Sequence, residues 1–203
     1  MNISLHNAGK RFNRDWIFRH VSFDFLTAGT YAITGSNGSG KSTLLQVIAG
    51  AMLQSEGTVK YSNTISTSIN EPYQQIALAA PYLELIEELT AGELLQFHAG
   101  FKPLSHSISH ILESVNLGNA ASKQIRYYSS GMKQRLKLAQ AFFSISPVLL
   151  LDEPTTNLDN EGIGLYQNLI KEHIGKRLLI VSSNVPQEYE FCEKVISIED
   201  FKS

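Results

Sequence analysis

The residues with the clearest chemical purpose lie between positions 35 and 43. Gly35-Ser36-Asn37-Gly38-Ser39-Gly40-Lys41-Ser42 fits the pattern G-x-x-x-x-G-K-[ST] at every position. Glycines let a backbone curl so that successive N–H groups point at phosphate oxygens, and a helix opening at Lys41 adds the partial positive charge of its N-terminus. Lys41 would reach β- and γ-phosphates, Ser42 supplies a hydroxyl to Mg²⁺, and Thr43 is placed to touch the α-phosphate. A Gly/Ser turn that merely precedes a lysine is the plain alternative. The strand-like segment before the loop and the helical segment after it argue against that alternative.

A second group is acidic. Val148-Leu149-Leu150-Leu151-Asp152-Glu153 is an apolar strand ending in two carboxylates. Asp152 is then expected to hold a metal through water, and Glu153 to face the γ-phosphate, where a carboxylate can orient and polarise an attacking water. Acids at a strand end are common in α/β proteins, so it is the pairing with the loop that gives them meaning.

The elements that must position these groups can be read from periodicity. Trp16-Ile17-Phe18, Val21 to Phe25 and Thr30 to Thr34 read as β segments, followed by a helix from Lys41 to Ala49. Thr90-Ala91-Gly92-Glu93 matches a capping box, so a helix is expected near Ala91. Ile108, Ile111, Leu112 and Val115 fall at i, i+3, i+4, i+7, with Gly118 as the expected stop. Met132, Leu136, Ala139 and Phe143 form a third stripe. Val148 to Leu151, a helix through Leu165, Leu169 and Ile170, then Leu178 to Val181 and Val195 to Ile198 restore a strand–helix rhythm suited to a parallel sheet covered by helices. No internal repeat appears, and the longest biased run is the Ser/Thr-rich patch from Tyr61 to Asn70.

Composition narrows the classes. The 203 residues carry 17 Lys+Arg against 19 Asp+Glu, a net charge of -2, so no broad basic face for nucleic acid is expected. The stretch Lys123, Arg126, Lys133, Arg135, Lys137, set beside Tyr127 and Tyr128, is a basic helix face rather than an RNA site. The single Cys192 cannot form an internal disulfide, the N-terminus lacks a secretion pattern, and no run approaches the roughly 20 apolar residues of a membrane span. A cytoplasmic protein is expected, its Cys192 a buried filler. His106 and His110 stand four apart without an acidic or Cys companion and read as a solvated helix face, not a zinc site.

Tyr128-Ser129-Ser130-Gly131-Met132-Lys133-Gln134-Arg135-Leu136, about one helix before the acidic strand, resembles the signature of the ATP-binding-cassette (ABC) ATPases, Leu-Ser-Gly-Gly-Gln followed by Gln-Arg. Ser129, Gly131, Gln134 and Arg135 match; Tyr128, Ser130 and Met132 replace the commonest residues. A hydroxyl, backbone N–H groups and a helix beginning at Met132 would still make a compact anion site, which in the family faces the γ-phosphate held by a second copy. Asn157-Leu158-Asp159, after Glu153-Pro154-Thr155-Thr156, resembles the family's D-loop, placing Asp159 at the contact between two ATP sites. Phe12 stands where the family has an aromatic that stacks on adenine; Trp16 is its competitor, and an edge-strand core role is the plain alternative.

The resemblance covers nearly the whole chain. It implies an α/β fold: a P-loop NTPase with a RecA-like parallel sheet core, an N-terminal antiparallel β part and an inserted helical lobe. Residues 1–80 and 144–203 would form the core, and 81–143 the lobe. It implies ATP and Mg²⁺ as cofactors, head-to-tail closure with a second ABC ATPase subunit in a homo- or heterodimer, and an integral membrane permease as partner, contacted near Ala80 to Thr90. The chain would lie peripherally on the inner face of the cell membrane. Two departures stand out. The family's Gln at the junction of core and lobe falls on Ala80 or Pro81 here, with Gln74 and Gln75 too far upstream, and the His after the strand Leu178 to Val181 is replaced by Asn184. Asn184 can donate a hydrogen bond to phosphate but cannot gain a proton. A non-transport clamp and an ATP-gated binding-only regulator are the competing functions.

Overall fold

The computed structural model describes residues 1–63 and 71–202; most of the Ser/Thr-rich patch, residues 64–70, lies outside the described residues. Strands β1 (Asn2–Phe12) and β2 (Asp15–Phe25) form an antiparallel hairpin. The two β segments read from residues 16–25 are one strand with a kink in it. Asn7 and His20 both take left-handed backbone (φ 49° and 59°), and their side chains bond to each other at 2.8 Å, breaking the period-two pattern on both strands. Strand β3 (Thr30–Thr34) and helix α1 (Lys41–Ile48) fall where the periodicity puts them. Strand β4 (Glu56–Ser62) then pairs with the free side of β1, completing a three-stranded sheet in the order β2-β1-β4.

The second sheet adds β5 (Ile76–Ala79), β6 (Val148–Asp152), β7 (Leu178–Ser182) and β8 (Lys194–Ser197), all parallel, in the order β5-β6-β7-β3-β8. Every residue of β6 and β7 is buried. Their side chains alternate between two cores: Val148, Leu150, Leu178 and Ile180 face the one shared with α1 and the β1–β2 hairpin, while Leu149, Leu151, Leu179 and Val181 face the one shared with the helices. A buried Val or Leu contributes about 1.5–3 kcal/mol. A one-residue slip would exchange the two sets, so the strand ends that carry the acids are fixed in register.

Four helices cover the second face: α2 (Ala91–Ala99), α3 (Ile108–Ser114), α4 (Ser130–Phe143) and α5 (Asn160–His173). The capping box at Thr90 and Glu93 forms with both reciprocal bonds. The expected stop at Gly118 is not used. Asn116 takes the left-handed position instead (φ 56°), its N–H bonding to Glu113 O and that of Leu117 to Leu112 O; a short polar side chain tolerates that conformation, so α3 closes two residues earlier. Helix α4 likewise starts at Ser130 rather than Met132, because Ser129 is its N-cap.

Candidate functional site

The phosphate loop sits at the C-terminal edge of the parallel sheet, between β3 and α1. Gly40 (φ 102°) needs to be glycine twice over: the backbone is left-handed, and a Cβ would come within 2.3 Å of Ile17 Cγ2. Helix α1 has no side-chain cap and no acid in its first turn, so its leading N–H groups remain for an anion. Lys41 is 4% exposed, and its Nζ arches back to donate to the carbonyls of Gly35 (3.0 Å) and Ser36 (3.1 Å). Among the described residues no carboxylate makes an ion pair with it. A buried ammonium held only by carbonyl dipoles is matched to an anionic ligand.

The acids arrive one strand away. In the order β6-β7-β3, Asp152 ends β6 opposite Ser182 of β7. Burial raises the Asp152 carboxyl above the usual carboxylate range, the Ser42 and Ser182 hydroxyls pull it down, the Glu153 charge pushes it up and Lys41 pulls it down. Neither hydroxyl reaches it with regular hydrogen-bond geometry. Among the described residues, both Asp152 oxygens, the Ser182 hydroxyl and the Ser39 hydroxyl are buried without a hydrogen-bond partner. Orphaned oxygens beside Ser42 form the all-oxygen donor set that Mg²⁺ and its waters use, so the residues present fit that ion.

Glu153 has φ 42°, an uncommon conformation for a long side chain, and its N–H donates to Ser182 O at 2.8 Å. Asn184, just past β7, is exposed, and its Nδ2 donates to Asn37 Oδ1 at 3.0 Å, so the residue in the histidine position touches the phosphate loop. Phe12 lies at the end of β1, 47% exposed, with the Lys10 ammonium 5.2 Å from its ring centre; the core reading of Phe12 is thereby overturned. Trp16 is occupied by the guanidinium groups of Arg19 (4.2 Å) and Arg11 (5.4 Å).

The signature segment opens α4, with Ser129 as its N-cap. Ser129 Oγ accepts the Met132 N–H at 3.2 Å, which leaves its own proton free to donate. Gly131 sits against the following loop: a Cβ there would be 3.1 Å from Asn157 O. Asp159 caps α5, its Oδ1 accepting the Gly162 N–H at 2.8 Å. Three of the five basic residues of this region are engaged: Lys133 pairs with Glu87, Arg126 with Glu88, and Lys137 donates to Pro81 O at 2.8 Å. His106 and His110 stack at 4.7 Å beside Phe143. Cys192 is half-buried, its thiol pushed up to about 12 by burial and then by the Glu193 charge.

Tyr82 was not singled out from sequence. It follows β5, which pairs with β6 through Ala79 and Leu151, so it emerges at the same sheet edge as Asp152. Although Tyr82 is 42% exposed, partial burial and then the Asp152 charge push its phenol up to about 12, with the Gln46 amide opposing. The phenol is therefore neutral at pH 7. A hydroxyl-bearing side chain directly after Ala80 and Pro81 was the available signal. Ala80 is fully buried and offers no polar group.

A P-loop before a helix, two acids ending a neighbouring strand, and a parallel sheet with the phosphate loop at its edge define a P-loop nucleoside triphosphatase. The sequence model of the ABC transporter family matches residues 18–156. The chain is 29% identical over 188 residues to the cytochrome c biogenesis ATP-binding export protein CcmA of Agrobacterium fabrum, covering 90% of this chain and 88% of that one. It is 32% identical over 194 residues to ABC transporter I family member 1 of Arabidopsis thaliana, covering 92% and 83%. It superposes with a TM-score of 0.80 and 25% identity on the dimeric post-hydrolysis structure of the ATP-binding cassette MJ0796 bound to ADP and Pi, covering 96% and 93%. The chain belongs to the ABC transporter family. It is an ATP-binding, ATP-hydrolysing subunit of a membrane transporter. Among the described residues no helix is long and apolar enough to cross a membrane.

Proposed function

We propose that this chain closes head to tail with a second cassette around two Mg-ATP, each site built from Lys41 of one subunit and Ser129 of the other. The observation that carries this is that Lys41, Asp152, Glu153 and Asn184 lie at the C-terminal edge of one sheet, while Ser129, the N-cap of α4, bonds to none of them among the described residues and accepts only the Met132 N–H, which leaves its hydroxyl proton for a phosphate. Free backbone N–H groups of the loop and of the start of α1 cradle the phosphates, Ser36 leaving its present Glu199 partner, with Thr43 at the α-phosphate and Lys41 reaching the β- and γ-phosphates from its present carbonyl partners. Ser42 and Asp152 would hold Mg²⁺, which when bound neutralises charge on the β- and γ-phosphate oxygens. Glu153 orients the attacking water, Asn184 donates an amide hydrogen to the γ-phosphate, and Phe12 stacks on adenine. Asp159 stabilises the loop at the facing site, and Gly131 lets the signature turn approach its neighbour.

The transporter contact is proposed for the junction between core and lobe. An open groove of ≈ 330 Å³ there is lined by Leu83, Leu85, His98, Lys102, Lys137 and Ala141. The junction is tied to the signature helix by Lys137 to Pro81 O and Lys133 to Glu87, so a permease segment seated in the groove has a direct mechanical line to Ser129. Seated there, the chain would be held on the inner face of the membrane. Mg-dependent ATP turnover by the purified chain tests the site. Lys41→Ala is expected to abolish it, and unchanged turnover in that variant would sink the assignment.

A further inference from the structure

Between the turn that carries Glu153 and the segment that carries Asn184 lies a buried carboxylate with no nucleotide to contact. Glu188 ends a short 3-10 turn (Pro186–Glu188) and is 2% exposed. Its Oε1 accepts the Thr155 N–H at 2.8 Å and the Thr155 hydroxyl as well. Thr155 is two residues past Glu153. The glutamate itself is anchored: Tyr166, fully buried on α5, donates its hydroxyl to the Glu188 carbonyl at 2.7 Å. From the other side, Gln134 of α4, 3% exposed, donates through Nε2 to Pro154 O at 2.8 Å. Side chains from α4 and from the Pro186–Glu188 turn thus grip the segment immediately after Glu153.

That turn needs holding. The left-handed backbone at Glu153 is strained for a long side chain and persists only where its surroundings over-determine it. A carboxylate oxygen that accepts two hydrogen bonds at once grips more strongly than a neutral acceptor. Asn184 lies four residues before Glu188 in the same segment and touches Asn37. The segment therefore fixes both the loop that binds phosphate and the turn that carries the water-orienting group.

We propose that Glu188 is a positioning residue for hydrolysis: by clamping Thr155 it keeps Glu153 in its strained conformation, at a set height above the phosphate loop. This rests on the reading of Glu153 as the water-orienting carboxylate. Glu188 touches no reacting atom, so its loss should slow turnover and spare nucleotide binding.

The test is steady-state ATP turnover together with nucleotide affinity for the full chain and four variants. Thr155→Val removes one donor and should lower kcat by about fivefold; Glu188→Ala removes the acceptor of both bonds and should lower it more than about tenfold. KM and nucleotide Kd should stay within about twofold. Glu188→Gln keeps an oxygen acceptor and should restore most of kcat. If Glu188→Ala does not fold, Thr155→Val carries the test. Wild-type kcat in Glu188→Ala and Thr155→Val beside an inactive Glu153→Gln would overturn the clamp while leaving the Glu153 reading intact. A parallel fall of kcat, affinity and melting temperature in both would overturn it in favour of simple stabilisation. An active Glu153→Gln would overturn the Glu153 reading and the clamp with it.

Discussion

Asn184 Nδ2 donates to Asn37 Oδ1 at 3.0 Å, so an amide, not an imidazole, bridges the end of β7 and the phosphate loop. Its contribution is that of one neutral hydrogen bond. Asn184→Ala should therefore lower kcat by no more than about tenfold, whereas Glu153→Gln should lower it by about 10²-fold or more. Asn184→His should make turnover pH-sensitive between about pH 6 and 7, where an imidazole titrates, while the wild type stays flat in that window. Rate-against-pH profiles of the three variants check this. An Asn184→Ala loss equal to that of Glu153→Gln would mean the amide does more than donate.

Asp152 should be a stability defect in the free protein. Its oxygens are buried without partners and burial raises its pKa, so the charged form is disfavoured in the folded state. The folded pKa lies above the unfolded one, so the penalty is absent below the unfolded value, grows as pH rises from it, and is complete above the folded value. Asp152→Ala is expected to stabilise the nucleotide-free chain by about 1 kcal/mol at pH 7 and to abolish the further stabilisation by Mg-ATP. Thermal melting with and without Mg-ATP reads both effects.

Much of this arrangement was legible in sequence, and the failures are physical. The loop, the acids and the continuous apolar runs were visible because one strand's worth of residues carries each signal. Strand β1 was not singled out because its alternation, Ile3 and Leu5 buried, breaks at the left-handed Asn7; β4 was missed because it is a polar strand with no fully buried residue. Asn116 displaced Gly118 because either residue tolerates the left-handed position. Tyr82 and Glu188 gain their meaning from distant partners, Glu188 from Thr155, 33 residues away, and Gln134, legible as part of the signature, finds its partner Pro154, 20 residues on, only in the fold; no local pattern encodes these pairings.

The capping box at α2 gives a prediction for the lobe. Thr90→Ala should cost about 1 kcal/mol. Glu93 is held below its ordinary value of 4.5 by the Thr90 backbone and then by its hydroxyl. A depressed folded pKa means its stabilisation is present above the unfolded value and lost as pH falls through the folded one. Melting curves should show the wild type losing stability faster than Glu93→Gln as pH drops below 4.5.

Gly131 allows a complementation experiment. A larger residue there meets Asn157 O, so Gly131→Val should disable the signature without touching its own phosphate loop. Lys41→Ala does the reverse. Mixed together, the two inactive variants should show more ATPase activity than the sum of each alone, because a mixed dimer contains one site with both parts intact. Simple additivity would place both halves of the site in one chain.

The most direct measurement is the association state of Glu153→Gln with ATP. If Lys41 of one subunit and Ser129 of another enclose each nucleotide, this variant binds ATP, cannot clear it, and elutes as a dimer holding two ATP per pair. A monomer saturated with ATP at millimolar nucleotide would contradict the shared site.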